Sequence, residues 1–426
     1  MSKISRRTFL RRAGITVGST FFIPRFGLAQ SPNEKLNIGI VGTANQARFS
    51  INNVKSENIV AVCDIDDNFL AKAVQDFPSA KKYNDFRKLL EQKNIDAVVV
   101  AIPDHAHAVA TVAALKSGHH VYCEKPLTHT VSECREVQKT AEHARKATQI
   151  GTQIHAGDNY RRVVELIQRD AIGPVKEVHV WVSAVYGGKK RPTDTPPVPP
   201  TIHYDLWLGP AEYRPYSPEY LPFVWRNWWA FGGGTMADFG CHYMDLPHWA
   251  LGLHAPLSVE AVGPERDPEC PPVWMIAHFE YANPKGGDPI KLTWYQGGKQ
   301  PDFLEPEIAQ KWKSGVLFIG EKGQLLSDYG RHMLLPQEKF RDFAHPEPFI
   351  PKSIGHHKEW IQACKTGSPT TCNFGYSGTL TEAALLGNVA FRVGKKIEWD
   401  SKNLKAKNCP EADEFIQHHY RQGWKL

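Results

Sequence analysis

From residue 36 the chain runs in short blocks that are apolar throughout, separated by segments with helical spacing. LNIGIVG (36–42), IVAVCDID (59–66), DAVVVAIP (96–103), HHVYCEKP (119–126) and TQIGTQIH (148–155) read as strands. Continuous apolarity, rather than alternation, predicts strands covered on both faces, as in a parallel sheet. Between them, residues 44–56, NFLAKAVQDF (68–77), HAHAVATVAALKSG (105–118) and VSECREVQKTAEHARK (131–146) read as helices. Gly118 closes the third, and Thr130 or Ser132 caps the fourth. This alternation predicts an α/β domain over residues 33–155, a Rossmann-type doubly wound parallel sheet.

The pattern changes after Gly173. VKEVHVWVSAV (175–185) alternates as a half-buried strand does. RPTDTPPVPP (191–200) is an extended loop, since proline supplies no backbone donor. PLSVEAVG, VWMIAHFEY, PIKLTWYQGG and GVLFIGEKGQLLS follow as strands with turns between, and SGTLTEAALLGNVAFRVG (377–394) as a long helix closed by Gly394. Residues 156–426 therefore predict a second, α+β domain built on a mostly antiparallel sheet.

Charge changes the reading only at the start of the chain. The formal net charge is +6, and residues 1–29 hold six basic side chains and no acid, so the remainder is balanced. That excludes a nucleic-acid binder working through a basic surface. Residues 5–12, SRRTFLRR, precede an apolar stretch from Ala13 to Ile23 and small residues at Gly27 and Ala29. The order matches an export signal cleaved after Ala29, and the arginine pair resembles a twin-arginine signal. The expectation is an exported protein, handled by the twin-arginine machinery, with no membrane span once residues 1–29 are removed. The eight cysteines lack regular spacing and form no C-x-x-C, which predicts mostly buried free thiols.

Gly42-Thr43-Ala44-Asn45 stands where a dinucleotide fingerprint places its glycine turn. Only the first glycine is kept; Ala44 replaces the second. Asp64 lies at the end of the second strand, where an acid holds the adenosine ribose. A carboxylate there repels the extra phosphate of NADP, so NAD is the expected cofactor.

Glu124-Lys125-Pro126, the segment Pro103-Asp104-His105-Ala106-His107, and GGGTMADFGCHYMD (232–245) together resemble the Gfo/Idh/MocA family of glucose–fructose oxidoreductases and inositol 2-dehydrogenases. The resemblance covers nearly all of the chain after residue 33. It implies a Rossmann domain followed by a domain with a large open sheet, association as a homodimer or homotetramer, and NAD(P)-dependent redox chemistry on a sugar or polyol. It further implies that Lys125 lies beside nicotinamide and substrate, that Glu124 precedes it on the cofactor side, that Pro103 and His107 lie by the nicotinamide ribose, and that Asp238 and His242 are the second-domain acid and histidine.

The residue types suit that chemistry in their own right. Oxidising a secondary alcohol removes an O–H proton while hydride leaves carbon. Histidine is a base near neutrality, and a lysine ammonium stabilises a developing alkoxide. Asp238 and His242 are spaced i, i+4 and share a helix face; Asp238 either assists the proton transfer or binds a substrate hydroxyl. Trp225 offers a flat face to a sugar ring, Arg226 can bond hydroxyls, and Gln153 and His155 are expected at the crevice beyond the last strand. Asp238, His242, Asp245 and His248 are metal-ligand types at helical spacing, but Pro247 interrupts it and no metal is expected. Three functions remain open: a net oxidoreductase, a redox-neutral glycoside-cleaving enzyme using the same residues, and a non-catalytic sugar binder.

Overall fold

The computed structural model describes residues 34–426. The export signal read over residues 1–29 lies outside them. Among the described residues, no helix is long and apolar enough to cross a membrane.

The first domain carries strands β1 (Asn37–Val41), β2 (Asn58–Cys63), β3 (Lys81–Tyr83), β4 (Ala97–Val100), β5 (His120–Cys123) and β6 (Thr148–Ile150). They form one parallel sheet in the order β3-β2-β1-β4-β5-β6. The sequence of β4, AVVV, is buried at every position, which accounts for its unbroken apolarity. The connecting helices are α1 (Gln46–Val54), α2 (Asp67–Asp76), α3 (Phe86–Leu90), α4 (Asp104–Lys116) and α5 (Val131–Ala144). At the start of α5, Thr130 and Glu133 form a capping box, two orphan amides satisfied reciprocally. The strand order reverses between β1 and β4, and ligands bind at such a switch point.

The second domain adds α6 (Asp158–Gln168), α7 (Tyr204–Leu208), α8 (Gly234–Tyr243), α9 (Asp245–Leu251) and α10 (Pro306–Lys311) to a nine-stranded sheet. The strands are β7 (Val175–Val182), β8 (Ser258–Val262), β9 (Met275–Tyr281), β10 (Ile290–Gln296), β11 (Gly315–Gly320), β12 (Gly323–Ser327), β13 (His332–Leu335), β14 (Ile397–Asp400) and β15 (Lys405–Ala406). Their order is β13-β12-β11-β7-β10-β9-β8-β14-β15, antiparallel except for the β7–β10 pair. One face is covered by α6, α9 and the long helix α12 (Phe374–Val393), whose apolar residues enter one continuous core with the sheet.

The chain then returns to the first domain. Helix α11 (His356–Thr366), which precedes α12, places Trp360 and Ile361 in the core beneath β1 and β4, and Cys372 and Phe374 join the core beneath β5. Residues 201–203 also reach back: Asp67 N donates to Thr201 O and His203 N to Ile65 O. Among the described residues all eight cysteines are free thiols, and all but Cys364 are buried.

Candidate active site

The site begins where β1 meets α1. Gly42 has φ +90°, and a Cβ there would stand 2.1 Å from Ala101 O. Only glycine accepts that approach. The turn it permits, Thr43-Ala44-Asn45, leads into α1, whose N-cap Asn45 makes no side-chain cap bond. Ala47 N and Arg48 N donate back to Ala44 O and Asn45 O, so this helix start meets an anion through its dipole and the remaining turn amides. Asp64 fixes the turn from below: its Oδ2 accepts from Thr43 N and Thr43 Oγ1, each at 2.8 Å, and its Oδ1 from Asp66 N. Burial raises the Asp64 pKa, against the pull of these bonds.

Glu124 and Lys125 follow β5. Glu124 is buried; its Oε1 accepts from Ser50 Oγ at 3.0 Å and Gln153 Nε2 at 3.0 Å. Its Oε2 has no partner among the described residues, and burial pushes its pKa up. A side chain at Gly151 would collide with that oxygen, at 2.3 Å. Lys125 extends to α8, donating from Nζ to Asp238 Oδ1 at 2.6 Å and to Asp238 O at 3.1 Å. Arg226 Nε donates to the same Oδ1 at 2.8 Å. Burial opposes ionisation of Asp238, but these two cations override it and hold the carboxyl well below its usual range.

His242 lies one turn along α8 from Asp238. Burial, aided by the Lys125 charge and opposed by Asp238, pushes its pKa down to about 3. It is a neutral imidazole at ordinary pH, and its Nδ1 has no partner among the described residues. Asp104, at the start of α4, is the second carboxyl of this cluster. It is buried, its Oδ1 is unpartnered, and burial raises its pKa to about 8.

A cavity of about 420 Å³ connects these parts. Gly42, Thr43, Ala44, Asn45 and Asp64 line one end; Pro103, Glu124, Lys125, Trp225 and Arg226 line the other. Asp238 and His242 stand behind that second end rather than on its wall. The donor set fits a dinucleotide: a glycine turn at a helix start, an acid at the end of β2, and a lysine at the far end.

Some expected residues stand elsewhere. His107 is buried off the cavity wall; its ring nitrogens lie 2.6 Å from Pro126 O and 2.7 Å from Ile102 O, so it ties the two loops that carry Lys125 and Pro103. Gln153 holds Glu124 and Tyr122. The reading of His155 as a crevice residue is corrected. Strand β6 ends at Ile150, a 3-10 turn (Gln153–Ala156) follows, and His155 turns inward. It stacks on Trp249 at 3.9 Å, and its Nδ1 lies 2.9 Å from Asp245 Oδ1, which also accepts from Tyr376 Oη at 2.6 Å. Asp245 thus leaves the row with Asp238 and His242. The helix breaks at Met244 between α8 and α9, and His248 points to Tyr281 Oη at 3.1 Å. In the segment Trp225-Arg226-Asn227-Trp228-Trp229, Trp228 is fully buried core and Trp225 alone of the three tryptophans lines the cavity.

Sequence reasoning missed Asp104 as a member of the charged cluster. It also missed Asn84, Asp85 and Phe86, which line the cavity beyond Asp64. Asp85 caps α3 by accepting from Arg87 N, and Asp ahead of FRKLL is the signal that would have found that turn.

Comparison with known proteins agrees with this geometry. Residues 36–152 match the Gfo/Idh/MocA model described as "Oxidoreductase family, NAD-binding Rossmann fold", and residues 175–426 its companion, "Oxidoreductase family, C-terminal alpha/beta domain". The chain is similar to an inositol 2-dehydrogenase of Salmonella paratyphi B, 32% identical over 146 residues, covering 34% of this chain and 43% of that protein. It is also similar to a glycosyl hydrolase family 109 protein of Shewanella pealeana, 23% identical over 201 residues, 40% of this chain and 44% of that one. The chain thus spans less than half the length of these curated relatives. Its fold is shared with the WlbA dehydrogenase of Bordetella pertussis, solved with NADH and UDP-GlcNAcA, at TM-score 0.63 and 20% identity over 86% of this chain and 98% of that one.

Proposed function

The chain belongs to the Gfo/Idh/MocA oxidoreductase family, and from that premise we propose that it is an NAD-dependent oxidoreductase acting on a secondary alcohol of a sugar, polyol or glycoside. The observation that carries the reading is the Lys125–Asp238 contact of 2.6 Å at the inner end of a cavity whose other end is the Gly42 turn. NAD+, when bound, supplies the hydride acceptor. The turn Thr43–Asn45 with the start of α1 would hold its pyrophosphate, and Asp64 its adenosine ribose.

The chain's own residues divide the remaining work. Lys125 stands on the cavity wall and holds the alcohol oxygen, stabilising charge as the O–H bond breaks. Asp238, held ionised by two cations, orients Lys125. His242, neutral and with Nδ1 unpartnered among the described residues, is a base weakened by burial and stands behind the wall; we assign it the alcohol proton once substrate fills the inner end. Trp225 and Arg226 face the substrate side.

The similarity to a glycosyl hydrolase family 109 protein favours a second reading on the same residues. Oxidation at one ring carbon acidifies the neighbouring C–H; loss of that proton expels the glycosidic oxygen, and water adds across the double bond. Bound nicotinamide would accept the hydride and give it back to the oxidised carbon, so the cycle would need no external oxidant.

From residues 1–29 we infer that this chemistry runs outside the cytoplasm, with the folded protein carrying its nucleotide through the twin-arginine route. The deciding experiment is acid denaturation of the purified folded protein and assay of the supernatant for NAD(H), followed by a screen of polyols and aryl glycosides. NADH formation supports the first reading. Glycoside cleavage without net NADH supports the second. No nucleotide, and no binding of added NAD, overturns both and leaves a sugar binder.

A further inference from the structure

Residues 417–426 return from the second domain to the outer end of the cavity. Arg421 anchors them: its N donates to Pro210 O at 3.0 Å, its Nε to Gly209 O at 3.0 Å, its Nη2 to Asp205 O at 2.8 Å, and its Nη1 pairs with the Asp205 carboxylate. Tyr420 Oη reaches Glu133 Oε1 at 2.9 Å, and Leu426 packs on the core under β5. These bonds fix where the residue between them goes. Trp424, half-buried, is set into the cavity wall beside Asn84, Asp85 and Phe86.

That wall lies at the Asp64 end. Asp64 N donates to Tyr83 O, and Asn84 Nδ2 to Asp64 O at 3.0 Å. Phe86 stands 6.0 Å from the indole, and the Arg87 guanidinium lies 4.4 Å over it. Arg87 is in turn held by Asp85. An indole so fixed by charge and backbone, yet left partly open toward a nucleotide cavity, belongs to no hydrophobic core. Its use is a flat face for a planar base, next to the acid suited to the neighbouring ribose.

We propose that Trp424 is a cofactor-binding residue: the segment 417–426 is a clasp that seats the indole against the adenine end of NAD and slows its release. The inference rests on the NAD reading of the cavity. It also supplies what an exported NAD enzyme needs, a nucleotide retained where no pool replaces it.

The test measures release of labelled NAD into excess unlabelled NAD, and equilibrium binding of NAD and of AMP, on the full chain. Trp424→Ala and Arg421→Ala are each expected to speed release and weaken both ligands by roughly tenfold or more. Trp424→Phe keeps a flat ring and is expected to stay within about threefold of the parent. Loss of NAD affinity with AMP unchanged overturns the placement at the adenine end. Unchanged release in both alanine variants overturns the clasp while leaving the NAD reading intact. A parent protein that binds no NAD fails earlier and takes both down. Melting temperatures without nucleotide separate these outcomes from simple unfolding.

Discussion

Lys125 Nζ and Arg226 Nε donate to one and the same oxygen, Asp238 Oδ1, from two different segments of the chain. Through that carboxylate the lysine after β5 is joined to the arginine before α8. All three side chains are nearly buried. Removing its charge leaves two cations facing an amide. Asp238→Asn is therefore expected to lower kcat/KM by about 100-fold and to cost about 3 kcal/mol of stability. Steady-state kinetics and urea unfolding check the two effects separately. Arg226→Met, which preserves the Lys125 contact, is expected to cost less on both counts.

Gly42 tests the turn by sterics alone. Its φ of +90° and the 2.1 Å approach of Ala101 O leave no room for a methyl group. Gly42→Ala is expected to destabilise the first domain by about 2 kcal/mol or more and to abolish NAD binding. Titration calorimetry on a variant with native circular dichroism reads the second effect. Normal NAD affinity in that variant would contradict the assignment of this turn.

Asp64 has two separable roles. It accepts from Thr43 N and Thr43 Oγ1, and it lines the cavity. Asp64→Asn removes the charge that repels a ribose phosphate, so the ratio of NADP to NAD affinity is expected to rise by about tenfold. Thr43→Val loosens the turn without altering charge, and should weaken both nucleotides equally. Competition binding of the two nucleotides distinguishes the outcomes.

The parts of this fold that were legible in sequence are those where burial dictates composition. The parallel strands are covered on both faces, so their apolar runs stand out, and α5 announces itself through Thr130 and Glu133. Short elements on the rim gave no such signal. The strand β3 reads KKY, with both lysines exposed, and α3 spans five residues. The strands stop sooner than the blocks that predict them: β2 ends at Cys63, β4 at Val100 and β5 at Cys123, so Asp64, Pro103 and Glu124 lie just beyond the sheet. Lys125, Asp238 and His242 could be nominated from their motifs. Asp104 and Trp424 could not, since each acquires its place through segments more than a hundred residues away. His155 turns inward through a partner 90 residues on: Asp245 belongs to α9, and the helix break at Met244 turns it away from Asp238.

Asp104 makes the site sensitive to pH. Its carboxyl is buried with Oδ1 unpartnered, and its pKa stands at about 8, raised by burial and then by Asp238 against the pull of Arg226 and Lys125. In the unfolded chain it titrates near 4. Between those values the folded protein holds a proton that the unfolded chain has lost, so this group makes stability fall as pH rises from about 4 to 8, and no further above that. Asp104→Asn removes the titration. Its stability relative to the parent is expected to improve steadily across pH 5 to 8, by on the order of 1 kcal/mol per unit at most. The same proton sets the charge of the site. With Asp104 neutral, the cluster carries two cations and one carboxylate, a net positive field suited to a developing alkoxide. Its ionisation cancels that field. His242 stays neutral down to about pH 3, so it adds no acidic limb above that. The pH profile of kcat/KM is therefore expected to be flat from about 5 to 7 and to fall near 8, and Asp104→Asn should abolish the fall. A limb that persists in the variant assigns it to another group.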